Sequence, residues 1–231
     1  MEALAVLWAP VRTLSRVARE RRVLLAFGVT ALYAALSLVS SGLAVFGGLL
    51  EQQMQPAGAP PLPPEIDDFL AVGLVFALVF AVLSPFLFWL LVSGLMHLVT
   101  RFFDGSGPFS GTLAVVGVAQ APLVVSAVIA IPLTGLQIAL TPQAVAASGP
   151  SLGLAGGLVG LLSGLIGLAA FLWFAALVVV GSSFARRVGY GESAGSCAIS
   201  CAGCFGLIIV VSVAIVALVA LVAGASGSTG A

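Results

Sequence analysis

The chain has 231 residues, zero formal net charge, 61% hydrophobic side chains and 7% charged ones. A soluble domain carries about 25% charged residues, so this chain cannot wet its own surface and must take lipid as its solvent. Zero net charge with no basic domain excludes a nucleic-acid partner, and three cysteines confined to one late apolar segment exclude a disulfide framework.

Residues 3–21 read as an amphipathic helix lying on a membrane surface. Leu4, Leu7, Trp8, Val11, Leu14 and Ala18 recur at helical spacing, while Arg12, Arg16 and Arg19 share another face. Pro10 bends this helix or opens a second one. A cleaved signal peptide has an apolar core of about 7–15 residues close behind its basic start. Here 22 residues precede a much longer apolar run, which is therefore expected to be retained.

That run, Val23–Leu50, is the first span, because a helix crosses a bilayer with about 20 apolar residues. Glu51–Asp68 reads as a loop. Pro56, Pro60, Pro61, Pro63 and Pro64 favour an extended path, and Glu65, Asp67 and Asp68 follow them. Phe69–Leu98 is the second span, with a kink expected at Ser84-Pro85. Residues 105–185 then hold no charged side chain, which is too long a stretch for one span. Turn residues in Thr141–Pro150 divide it into a third span, Thr112–Leu140, interrupted by Pro122 and Pro132, and a fourth, Leu152–Gly181. Ser182–Ala194 reads as a short polar loop, Gly195–Val222 as the fifth span, and residues 224–231 as a Gly/Ser tail.

The expected fold is thus an all-α integral membrane protein. A bundle of five transmembrane helices (residues 23–223) follows a short amphipathic interfacial helix (residues 1–22). The eight arginines support that count. They lie before the first span, at Arg101 after the second, and at Arg186 and Arg187 after the fourth, so five alternating spans put all of them on one side. Glu51, Glu65, Asp67 and Asp68 fall on the other. This positive-inside pattern makes the N-terminus cytoplasmic and the C-terminus external. Gly156, Gly160 and Gly164 repeat every fourth residue and allow close helix approach, to another span of the chain or to a second subunit in a homo-oligomer.

Several motifs suggest chemistry. Gly191-Glu-Ser193-Ala-Gly195 fits a nucleophile elbow, which requires a preceding strand and a following histidine; neither is present in the sequence. Cys197, Cys201 and Cys204 have the spacing of an iron–sulfur motif but share one face of an apolar helix, where cysteine acts as a small packing residue. His97, the sole histidine, lies at the end of the second span and either caps carbonyls there or makes a functional contact. Gln120 and Gln137 make interhelical hydrogen bonds or line a solute pathway. No catalytic, cofactor-binding or metal-binding set emerges, so the expectation is a non-enzyme without a cofactor.

The stretch from His97 to Pro122 carries a family resemblance. A histidine ends the second span, followed by Asp104-Gly105-Ser106-Gly107-Pro108-Phe109, then Val115-Val116-Gly117-Val118-Ala119 and Pro122. With the proline-containing start near Pro10, Leu172-Trp-Phe174 in the fourth span and the arginine loop before the fifth, the chain resembles the Yip-one domain family of Ypt/Rab-interacting five-span membrane proteins. Asp104 stands where the family has its first glycine, Pro108 where it has Ser or Thr, and Val118 where it has tyrosine. The resemblance implies a membrane-organising or protein-interaction role. Its eukaryotic members bind Rab-type GTPases through longer N-terminal regions, so a prokaryotic-type member is expected here. Expected partners are membrane lipids and a protein on the cytoplasmic face. The interaction motif comprises His97, Arg101, Asp104, Gly105, Gly107, Phe109 and Pro122. The alternative function is a small-solute transporter or channel.

Overall fold

The computed structural model describes residues 4–47, 49, 64–140, 150–204 and 206. A 3-10 turn at Leu4–Leu7 leads to α1 (Pro10–Glu20), α2 (Val23–Phe46), α3 (Pro64–Arg101), α4 (Phe109–Ala119), α5 (Ala121–Ala139) and α6 (Pro150–Arg186). A last helix, α7, covers residues 190–204. No strand occurs among the described residues. Four stretches are long and apolar enough to cross a membrane: Val23–Phe46, Gly73–Arg101, Phe109–Ala139 and Gly156–Arg186. They overlap the first four expected spans. Of the fifth, only the α7 portion is described; its remainder, the proline-rich loop before Pro64, the dividing turn at 141–149 and the tail lie outside the described residues.

Two helix boundaries differ from expectation. α3 begins at Pro64, so the acidic residues at 65–68 belong to a helix start rather than to a loop. Proline suits a first helical position, where its missing N–H would have no partner anyway, and acidic residues are favoured near helix N-termini. At the other boundary α6 continues to Arg186 and α7 starts at residue 190, which shortens the expected polar loop to residues 187–189. The serines that suggested a loop satisfy themselves within the helix. Ser182 donates to the Val178 carbonyl at 2.5 Å and Ser183 to that of Val180 at 2.7 Å. Arg187, at φ 58°, turns the chain, and the Glu192 carboxylate accepts the Gly189 N–H at 2.8 Å.

The bundle is built around α4. It contacts α1, α2, α3 and α6, and Gly111, Thr112 and every residue from Ala114 to Ala119 are buried. Between lipid-solvated helices there is little hydrophobic drive, so association rests on close packing and hydrogen bonds. Both operate here. A Cβ on Gly117 would lie 2.5 Å from Ala26 Cβ of α2 and 2.8 Å from Trp89 Nε1 of α3, and one on Gly181 would lie 2.2 Å from Val115 Cγ1. Trp89 donates its indole N–H to the Leu113 carbonyl at 2.8 Å. The third span breaks at Gln120, whose carbonyl accepts from the N–H groups of Leu123 and Val124 at 2.8 and 3.1 Å while Pro122 offers no donor. Pro85 and Pro132, in contrast, lie inside helices that continue through them.

Pro10 opens α1 as its first residue, separate from the preceding 3-10 turn. α1 packs on α4 and α6, with Leu14 and Val17 buried while Leu4, Trp8 and Val11 stay exposed. The glycine stripe of α6 divides. A Cβ on Gly156 would meet the Leu140 carbonyl at 3.6 Å and one on Gly160 the Gln137 amide nitrogen at 3.0 Å, both of the same chain, whereas Gly164 faces open space.

Candidate docking surface around Arg186

The arginine-bearing end of the bundle concentrates the polar structure. α3 ends at Arg101, and the next turn folds back over that end: the N–H groups of Phe103 and Gly105 bond the Thr100 carbonyl at 3.1 and 3.0 Å. Asp104 takes a left-handed φ of 58°, the conformation glycine adopts without cost and Asp or Asn tolerate best among other residues. That accounts for glycine at this position in the family pattern and for aspartate as its substitute.

Arg186, at the end of α6, is 1% exposed and reaches into this turn. Its Nε donates to Thr100 Oγ1 at 2.9 Å, Nη2 to the Gly105 carbonyl at 2.5 Å, and Nη1 to the Gly107 carbonyl. In return the Ser106 N–H donates to the Arg186 carbonyl at 3.0 Å. Thr100 Oγ1 itself bonds back to the Met96 carbonyl at 2.6 Å. One planar guanidinium thus joins the end of the second span, the turn and the end of the fourth span, a task that suits its fixed fork of donors.

The two glycines serve this approach. A Cβ on Gly107 would lie 1.7 Å from the Ala185 carbonyl oxygen, and one on Gly105 would lie 2.7 Å from the Thr100 carbonyl oxygen. Neither has the left-handed backbone expected of a tight reversal; that conformation falls on Asp104. The glycines are there to admit the neighbouring backbone and the guanidinium.

His97 does not cap the helix. Its ring meets Phe109 edge-on with centroids 5.3 Å apart, and its buried Nδ1 has no hydrogen-bond partner among the described residues. The turn N–H groups take the helix-end carbonyls that the imidazole was expected to reach: Phe102 bonds that of Val99, Phe103 and Gly105 that of Thr100, and Asp104 that of Arg101. Around this frame Phe102 is 85% exposed, with Arg101, Asp104, Ser106 and Pro108 also exposed and Phe109 partly so. Pro122 lies apart from the surface, in the first turn of α5 next to the break at Gln120.

The serine and cysteine motifs take part in helix contacts. Ser193 is fully buried and joins α7 to α6, with its hydroxyl 2.7 Å from the Val179 carbonyl and 2.6 Å from Ser182 Oγ. Cys197 and Cys204 are buried in the core, and Cys197 Sγ approaches the Ala175 carbonyl at 3.9 Å. Thr100 was not singled out from the sequence, and Arg186 was expected in a cytoplasmic docking loop rather than buried beneath the turn. They lie 86 positions apart, and an arginine after a span already has a sufficient explanation as a topological charge.

The Yip1 domain profile matches residues 4–223. An uncharacterized protein of Methanocaldococcus jannaschii is 35% identical over 71 residues, which is 31% of this chain and 50% of the relative. The chain therefore spans about half the length of the curated relative it matches, and an archaeal relative fits a prokaryotic-type member. No solved structure matches the chain. The domain match extends over the four apolar helices and the turn that Arg186 holds, which makes this a multi-pass membrane protein, and the chain belongs to the Yip1 domain family.

Proposed function

We propose that this protein is a non-enzymatic membrane-organising or protein-interaction protein that docks a protein partner on the turn at residues 101–109. The observation that carries the proposal is the fully buried Arg186, which holds a turn whose aromatic and charged side chains point outward. A surface held rigid before contact loses little conformational entropy on binding. In this proposal five spans, the last extending beyond the described residues, leave the turn and the N-terminus cytoplasmic and the C-terminus external. α1 lies at the membrane interface, dividing its apolar side chains between the bundle and lipid. A second subunit, if one assembles, has Gly164 available, since Gly156 and Gly160 already face α5.

The transporter alternative has less support. Gln120 is fully buried, with neither amide atom hydrogen-bonded among the described residues, and Gln137 lies against Gly160 in a helix contact, so the packing around both residues supports a scaffold over a pathway. The docking proposal is tested by photo-crosslinking in intact membranes from Ser106, which is exposed, and from the outward-facing Leu161. Discrete protein adducts from position 106 and lipid adducts from position 161 are expected. Lipid adducts alone from both positions would remove the docking surface.

A further inference from the structure

The arginines of the N-terminal segment border a cavity of about 220 Å³, lined by Ala5, Ala9, Thr13, Val17, Arg12, Arg16 and Arg22. Ala5, Ala9, Thr13 and Val17 follow one another every fourth residue, so they form a continuous floor along one face of the 3-10 turn and α1. Three of these four side chains are small, and that is why there is room. Arg12 and Arg16, also one helical turn apart, form one wall. The chain then reverses at Arg21, which has φ 51°, and brings Arg22 back as the other wall, where it pairs with Glu20.

Directly after Arg22 the first apolar span begins at Val23, and Leu24 is 88% exposed. The cavity therefore sits at the crook between α1 and the start of a spanning helix, the level at which a bilayer holds its phosphates. Its floor is methyl groups and its rim is guanidinium. Soluble phosphate needs only the rim; a phospholipid uses both, with its phosphate on the arginines and its glycerol and upper acyl carbons over the alanines. Guanidinium groups are well suited to bind phosphate oxygens in pairs.

We infer that this cavity is a binding site for the headgroup of one anionic phospholipid. The inference rests on the interfacial placement of α1 proposed above. It adds a stoichiometric site to what would otherwise be a diffuse basic surface.

The test uses the full chain in nanodiscs of phosphatidylcholine and phosphatidylglycerol, released into detergent for native mass spectrometry. The wild type is expected to retain one phosphatidylglycerol. Arg12→Gln and Arg16→Gln should each lower the retained fraction about fivefold, the effect of one arginine at an anionic surface. Arg187→Gln removes the same charge away from the cavity and should leave retention unchanged. Thr13→Leu fills the floor without altering charge and should also lower retention. Equal loss in all three arginine variants, or full retention in Thr13→Leu, would overturn the site in favour of diffuse attraction. Displacement of the lipid by excess inorganic phosphate would overturn it in favour of a soluble anion. A photo-crosslinker at Trp8 separates the two levels of the proposal. Without lipid adducts the interfacial placement fails and the site with it; with adducts but no selective retention, only the site fails.

Discussion

The turn at residues 101–109 and the middle of α4 are both tightly held, by opposite means. At the turn, a single buried guanidinium binds two backbone carbonyls and a hydroxyl. In the middle of α4, Gly117 and Val115 contact three neighbouring helices, with one indole hydrogen bond from Trp89 alongside. The difference follows from the surroundings. At the end of a bundle the chain must reverse, and exposed carbonyls need donors. Within it the backbone is already bonded and only shape remains to be matched. Removing a donor should therefore matter most at the turn, and adding volume most in α4.

The largest expected effect is at Arg186. Arg186→Met leaves the Gly105 and Gly107 carbonyls without their donor, at a cost on the order of 3 kcal/mol, read as a lower midpoint of detergent-induced unfolding. Arg186→Lys keeps the charge but not the fork, and should recover less than half of that loss; full recovery would show that charge, not direction, holds the turn. Gly107→Ala should cost about 2–3 kcal/mol, since its Cβ would meet backbone that must move. Gly117→Val should cost about 1–3 kcal/mol by overpacking against Ala26 while leaving crosslinking from Ser106 intact; loss of that crosslinking would merge the two regions into one. The smallest effect is a gain. Asp104→Gly removes a left-handed non-glycine residue and should stabilise by about 1 kcal/mol or less, with Arg186 contacts unchanged by hydrogen exchange at Gly105 and Ser106.

The four long apolar helices were legible because lipid solvation demands long uncharged runs. Pro10 was legible as a break for a reason local to one residue. The central place of the third span was also written in its composition. From Gly111 to Ala121 no side chain exceeds leucine or glutamine in size, as a helix surrounded on all sides requires, whereas α3 carries phenylalanines on its outward face. The candidate site was only half legible. Gly105 and Gly107 stood out, but the reason for them lies on Arg186, which no periodicity links to position 105. His97 drew attention because it is unique, and its ring proved to pack on Phe109 while backbone N–H groups of the turn bonded the last carbonyls of the helix.

The 86-residue separation between Thr100 and Arg186 has a consequence for biogenesis. At a synthesis rate of about 5–20 residues per second, the arginine emerges roughly 4–17 s after the threonine. During that interval the turn has been made but lacks the guanidinium that orders it. A nascent chain arrested before residue 186 would present its phenylalanines on a loose loop, and an intact one on a fixed surface. A partner of the kind proposed above, if it binds only the fixed form, would engage the turn only once residue 186 is in place.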